Sequence, residues 1–185
     1  MSGAIEVRRL GPPEAEHYRA IRLAMLEAEP AFFGASFEAE AALPRADFAE
    51  RLAASVAFGA YAGTEIVGTI RLVRETAPKE IHKAAVRSFF VRPEFRGQGI
   101  GSALMAALIE AAPGHVEQLT LAVMAENRTA IALYERFGFV IYGVEPRSRK
   151  SAEGYADKAL MALILQHAPS SPAGRGQVRA QRGTG

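Results

Sequence analysis

The chain of 185 residues contains no cysteine. Without thiols there is no disulfide framework, no thiolate nucleophile and no structural zinc held by cysteine, and the expected home is the cytoplasm. It also lacks any apolar run of membrane-spanning length, and Met1 to Arg9 contain no long apolar segment of the signal-peptide type, so export and membrane insertion are not expected. Acidic residues are missing from 166 onward, where Arg175, Arg179 and Arg182 stand among Pro, Ser and Gly. Setting those three aside leaves 19 of the 22 basic residues against 20 acidic ones, a body of net charge −1. A near-neutral body does not make a broad nucleic-acid footprint, which needs Lys and Arg gathered on one face. Residues 1–165 are therefore expected to form one domain, and 166–185 a disordered basic tail.

What is present begins with the run Val91-Arg92-Pro93-Glu94-Phe95-Arg96-Gly97-Gln98-Gly99-Ile100-Gly101, between a strand-like and a helix-like stretch. A strand that enters a glycine turn and then a helix aims unpaired main-chain N–H groups and the positive helix end at one point. The glycines let the backbone approach an anion, and Arg96 adds a fork of donors. A phosphate-bearing cofactor is the expectation. Two familiar phosphate loops do not match. The P-loop needs Gly-Lys-Ser/Thr, whereas Gly101 is followed by Ser102 and Ala103; the dinucleotide fingerprint needs a further glycine where Ser102 or Leu104 stands.

The spacing Arg96-x-x-Gly99-x-Gly101 resembles the acetyl-CoA pyrophosphate loop of the GNAT superfamily of N-acetyltransferases. A second element is similar to the same family: 119–123 as an apolar strand, then Asn127, then Ala130, Leu133, Tyr134, Phe137 and Gly138-Phe139. The resemblance covers roughly 4–165 and is densest over 86–144. It implies an α/β (α+β) GNAT fold: a mixed, mostly antiparallel central sheet of six to seven strands, splayed between strands 4 and 5 and flanked by about four helices.

Local patterning agrees. Ile5 and Val7 open a strand, Pro12 and Glu14 start a helix with Tyr18, Ile21 and Met25 on one face, and Pro30 ends it. Residues 31–34 are an apolar connector, and Pro44 opens a short helix through Phe48 and Leu52. A hairpin turns at Gly63-Thr64, 86–91 is a strand, and a helix over about 99–112 buries Ile100, Leu104 and Leu108. Closing strands are expected over 139–144 and 158–165, with no second domain.

The resemblance implies that backbone groups near Phe89, Phe90 and Val91 grip the pantetheine arm, that Arg96, Gly97, Gln98, Gly99, Ile100 and Gly101 with Asn127 hold the cofactor, and that Tyr134 protonates the thiolate. From the residues alone Tyr134 also fits an ordinary core stripe, and Asn127 an ordinary helix N-cap. Many relatives place a Glu thirteen residues before the loop Arg, where this chain has Lys83. His82, Glu38, Glu40, Glu145 and Asp157 remain candidate bases, and no metal site is expected. Phe32, Phe33 and Phe37 are candidate acceptor-pocket residues, and Glu145 or Asp157 candidate attractors of a cationic amine.

The leading expectation is an acetyl-CoA-dependent N-acetyltransferase acting on a primary amine of a small molecule or a peptide or protein N-terminus, with homodimerisation possible. The alternatives are a non-catalytic acetyl-CoA sensor and a nucleotide-binding regulator.

Overall fold

The computed structural model describes residues 4–151 and 154–165, and the expected tail at 166–185 lies outside them. Strand β1 (Ile5–Leu10) runs into a short 3-10 turn at Pro12–Glu14, where the Glu14 carboxylate accepts a hydrogen bond from the Gly11 amide at 2.8 Å. Helix α1 (Ala15–Ala28) buries Tyr18, Ile21 and Met25, the face its spacing predicts. Helix α2 (Phe37–Ala41) is missing from the sequence expectation; at five residues it is too short for a periodic signal, and the Ser36 hydroxyl caps it through the Ala39 amide. Helix α3 (Arg45–Ala53) follows Pro44 and buries Phe48 and Leu52.

Strands β2 (Val56–Ala62) and β3 (Glu65–Arg74) form the expected hairpin, with Gly63 at φ 64° in its turn. Strand β4 (Lys83–Val91) begins three residues earlier than its apolar run suggests. Then come α4 (Ile100–Glu110), β5 (Gln118–Met124), α5 (Arg128–Arg136), β6 (Val140–Ser151) and β7 (Gly154–Ile164). The closing strands are longer than 139–144 and 158–165, because their outer halves pair with each other rather than with a hydrophobic partner.

The seven described strands make one sheet in the order β1-β2-β3-β4-β5-β7-β6, antiparallel except between β4 and β5. One face packs on α1 and α3 through Tyr18, Ile21, Phe48 and Leu52; the other packs on α4 and α5 through Leu104, Leu108, Ile131 and Tyr134. Pairing between β4 and β5 stops after Ala85 with Thr120. Beyond that point the strands diverge, and β4 bulges at Ser88, a non-glycine residue with φ 51°. Its hydroxyl lies 3.1 Å from that of Tyr18, which ties the bulge to α1. Splay and bulge together open a passage through the sheet from one helical layer to the other.

Candidate functional site

The passage is a cavity of about 1080 Å³. At one end lies the glycine turn. Gly97 has φ 76° and Gly99 φ 79°, left-handed values that suit glycine alone at no steric cost. A Cβ built on either would stand in open space, so the turn presents bare main chain to a ligand. Gly99 is the N-cap of α4, and among the described residues the amides from Gly97 to Ser102 find no main-chain acceptor. Six such donors at a helix start suit a diphosphate. Gly101 differs from its neighbours: it sits inside the helix, where a Cβ would meet Leu133 Cδ2 at 3.3 Å and Phe89 Cζ at 3.5 Å. Two glycines therefore shape the turn and the third clears room between α4, α5 and β4.

Arg96 lines the cavity, but its guanidinium turns back across the turn. Nε donates to the Val91 carbonyl at 3.0 Å and Nη2 to the Glu29 carboxylate at 2.7 Å, with the Phe90 ring beneath at 5.7 Å. It braces the turn against the end of α1 while keeping positive charge near it. Farther out, Arg136 of α5 donates to Ser102 Oγ at 3.2 Å at the same end.

Tyr134 sits at the middle of the passage, 7% exposed, its ring against Phe89 at 5.8 Å and Phe139 at 5.9 Å. Its hydroxyl has no hydrogen-bond partner among the described residues, although Tyr134 lines the cavity. Burial pushes the phenol well above its ordinary pKa, so it stays protonated. α5 is held by its ends: Asn127 Oδ1 accepts from the Ala130 amide at 3.1 Å, and Gly138 at φ 89° lets the Phe139 amide reach the Tyr134 carbonyl. Asn127 is thus an N-cap that also lines the cavity.

Phe89, Phe90, Val91, Gly97, Gly99, Ile100 and Gly101 all line the cavity; Gln98 does not. The candidate bases are not brought there. His82 and Lys83 lie at the opposite end of β4, where Lys83 pairs with Glu80 at 3.5 Å. Glu40 is buried between Arg51 at 2.7 Å and Arg22 at 3.3 Å. Burial alone would raise its pKa, but the hydrogen bonds from the two arginines outweigh it and hold the carboxyl below its ordinary value. Glu145 accepts from the Ser148 hydroxyl, and Asp157 accepts from the Arg147 amide at 2.8 Å, so neither faces the cavity as an attractor of cations. Phe32 and Phe33 line the cavity on the α1 side, whereas Phe37 is on the surface.

Sequence reasoning missed the basic wall on that side: Arg71 of β3, Arg87 of β4, Lys158 of β7 and Arg149 of β6. Arg71 carried a signal, being a lone charge inside the apolar run from Ile66 to Val73. Arg149 Nη1 donates to the Ala31 carbonyl at 2.5 Å and ties β6 to the connector after α1. Among the described residues, the only carboxylate lining the cavity is that of Glu29.

Comparison with known proteins agrees with this geometry. Residues 22–139 match the family described as acetyltransferase (GNAT) family. An L-methionine sulfoximine/L-methionine sulfone acetyltransferase of Pseudomonas paraeruginosa is 34% identical over 86 residues, 46% of this chain and 50% of that protein. A [ribosomal protein bS18]-alanine N-acetyltransferase of Escherichia coli K12 is 36% identical over 86 residues, 46% of this chain and 58% of that protein. The chain thus spans about half the length of the curated relatives it matches. Among solved structures, a GNAT-family acetyltransferase from Streptococcus pneumoniae aligns with a TM-score of 0.79 at 22% identity, over 88% of this chain and 100% of that one. A putative acetyltransferase from Salmonella typhimurium, solved with its cofactor acetyl-CoA, aligns at 0.74 and 16% identity, over 91% and 98%. With its family match running over more than half its length, across the splayed strands and the glycine turn, the chain belongs to the acetyltransferase (GNAT) family.

Proposed function

We propose that this chain is an N-acetyltransferase that moves an acetyl group from acetyl-CoA to a primary amine of a small molecule or of a peptide or protein N-terminus, both substrates being bound together. The supporting observation is one cavity that joins an anion-binding turn at Gly97 and Gly99 to an unpartnered, protonated phenol at Tyr134. The free amides of the turn fit a diphosphate, and the β4 edge past Ala85, unpaired on its β5 side, offers main-chain groups to the amides of a pantetheine arm. In this reading Gly97 to Gly101 and Asn127 bound the cofactor end, and Phe89, Phe90 and Val91 flank the arm.

The thioester supplies an activated acyl carbon. As the amine forms its N–C bond and the C–S bond breaks, the electron pair goes to sulfur and the amine gives up a proton to solvent water. Tyr134 meets the departing sulfur as a hydrogen-bond donor, gives it the phenol proton, and regains one from solvent. A main-chain N–H at the bulge facing the acyl oxygen adds about 3 kcal/mol by analogy with other oxyanion holes. The relatives named above act on an amino-acid analogue and on a ribosomal-protein alanine, which frames the two acceptor classes.

The test is calorimetric titration with acetyl-CoA followed by thiol release over a panel of amines. Binding with turnover on at least one amine supports the reading. Binding without turnover on any of them makes the chain a sensor, and stabilisation by ATP or NAD instead of acetyl-CoA removes the reading altogether.

A further inference from the structure

The α1-side wall of the cavity has more positive charge than the described residues neutralise. Arg71 and Arg87 are direct cross-strand partners on β3 and β4, and they therefore share a face of the sheet. Like charges opposite one another are destabilising, and evolution of a fold tolerates them where a counter-charge is supplied. Among the described residues that counter-charge is only partial. Glu40, the carboxylate that acts on Arg71, is already shared by Arg22 and Arg51. Arg71 donates one long hydrogen bond, Nη1 to the Arg51 carbonyl at 3.4 Å, and its buried Nε has no acceptor. Burial, with the charges of Arg51 and Arg22 added, holds the Arg71 guanidinium below its ordinary pKa against the opposing influence of Tyr18 and Glu40. The Arg87 side chain makes no hydrogen bond or ion pair among the described residues, and neither does that of Lys158 on β7.

A buried donor without an acceptor, inside a pocket and beside an unpaired like charge, is a site waiting for an anion. Arg87 immediately precedes the Ser88 bulge and lies two residues past the last β4–β5 pair at Ala85, so an anion held there sits in the splayed part of the sheet. Phe33 and Met124 contribute apolar lining to the same cavity. We infer that the acceptor is a free α-amino acid with an uncharged side chain, its carboxylate held by Arg71 and Arg87 and its side chain set against Phe33 and Met124. The inference rests on the transferase reading above and names that reading's acceptor.

The same wall answers how an amine becomes nucleophilic where no candidate base reaches the cavity. The α-amine of a peptide N-terminus has an ordinary pKa of about 7.7–8.0 against about 10.4 for a lysine side chain; in a free amino acid the neighbouring carboxylate raises the α-amine above the peptide value, and pairing that carboxylate with guanidinium groups offsets the increase. Cations nearby lower the amine's pKa by disfavouring the ammonium form. An α-amino acid is thus bound by its carboxylate where the ammonium form of its amine is disfavoured, while a polyamine or a lysine-rich peptide is repelled.

The experiment measures kcat/KM by thiol release for L-leucine, for L-leucinamide and for a peptide amide with an N-terminal alanine, using the wild-type chain and the variants Arg71→Gln and Arg87→Gln. The expected result is at least a tenfold preference for leucine over leucinamide, falling to within threefold of unity in either variant and carried mainly by KM. Arg87 is exposed, so Arg87→Gln keeps the test valid should Arg71→Gln fail to fold. Equal or better use of leucinamide or the peptide overturns the acceptor assignment while acetyl transfer stands. No turnover with any of the three, alongside failure of acetyl-CoA to raise Tm, overturns the transferase reading and the assignment with it.

Discussion

Removing one oxygen separates the two roles open to Tyr134. In Tyr134→Phe the ring keeps its contacts with Phe89 at 5.8 Å and Phe139 at 5.9 Å, since these involve the ring and not the hydroxyl. The hydroxyl has no partner among the described residues, so its loss strands no donor or acceptor there. Stability should change by less than about 0.5 kcal/mol, as for substitutions that remove no named interaction, which is about 1–2 °C in Tm for a domain of this size. Loss of a general acid costs about 10²–10⁴ in rate, or roughly 2.7–5.4 kcal/mol at 1.36 per decade. The assay pairs a thermal melt with kcat from thiol release under saturating acetyl-CoA. A kcat within threefold of wild type, with Tm unchanged, would refute the acid role and leave Tyr134 as packing. The raised phenol pKa gives a second check: the protonated form is the active one, so the alkaline side of the wild-type kcat profile should stay flat past pH 10.

Gly99→Ala should cost about 1–2 kcal/mol because φ 79° is strained for any Cβ, even one standing in open space, and should weaken acetyl-CoA binding about tenfold; unchanged affinity by calorimetry would take the turn out of the cofactor site. Asn127→Ala removes the α5 cap and should lower Tm by about 2–4 °C for the roughly 1 kcal/mol lost, while an acetyl-CoA Kd raised more than threefold would add a ligand contact to the cap. Glu40→Gln leaves Arg22 and Arg51 facing each other and should destabilise by about 1–3 kcal/mol at pH 7 in chemical denaturation. Because the folded pKa of Glu40 is depressed, its contribution is complete above the ordinary Glu value of about 4.3 and is lost as pH falls below it, so wild type and variant should converge in acid; a constant gap down to pH 2 would sink this account.

Much of the framework was legible because it follows from short-range chemistry. Helix faces such as Tyr18, Ile21 and Met25 appear in the spacing of apolar residues, and the Gly63 turn, the Pro44 start and the Asn127 cap depend on the residues within a few positions of them. The glycine turn was readable for the same reason, since left-handed φ values at Gly97 and Gly99 need that residue type. Helix α2 was not, because five residues make too little of a period to detect, and the outer halves of β6 and β7 were not, because exposed strands pair without a hydrophobic alternation.

The sequence by itself determined where the elements begin, which faces they bury and which turn can accept an anion, since each depends on neighbours along the chain. Only the tertiary structure decided which charges meet. Pairing of β3 with β4 set Arg71 opposite Arg87, packing of α2 and α3 on α1 committed Glu40 to Arg22 and Arg51, and the fold left His82 and Lys83 at the far end of β4. These residues are 11 to 18 positions apart or lie on separate strands, and electrostatic interaction depends on distance in space rather than along the chain.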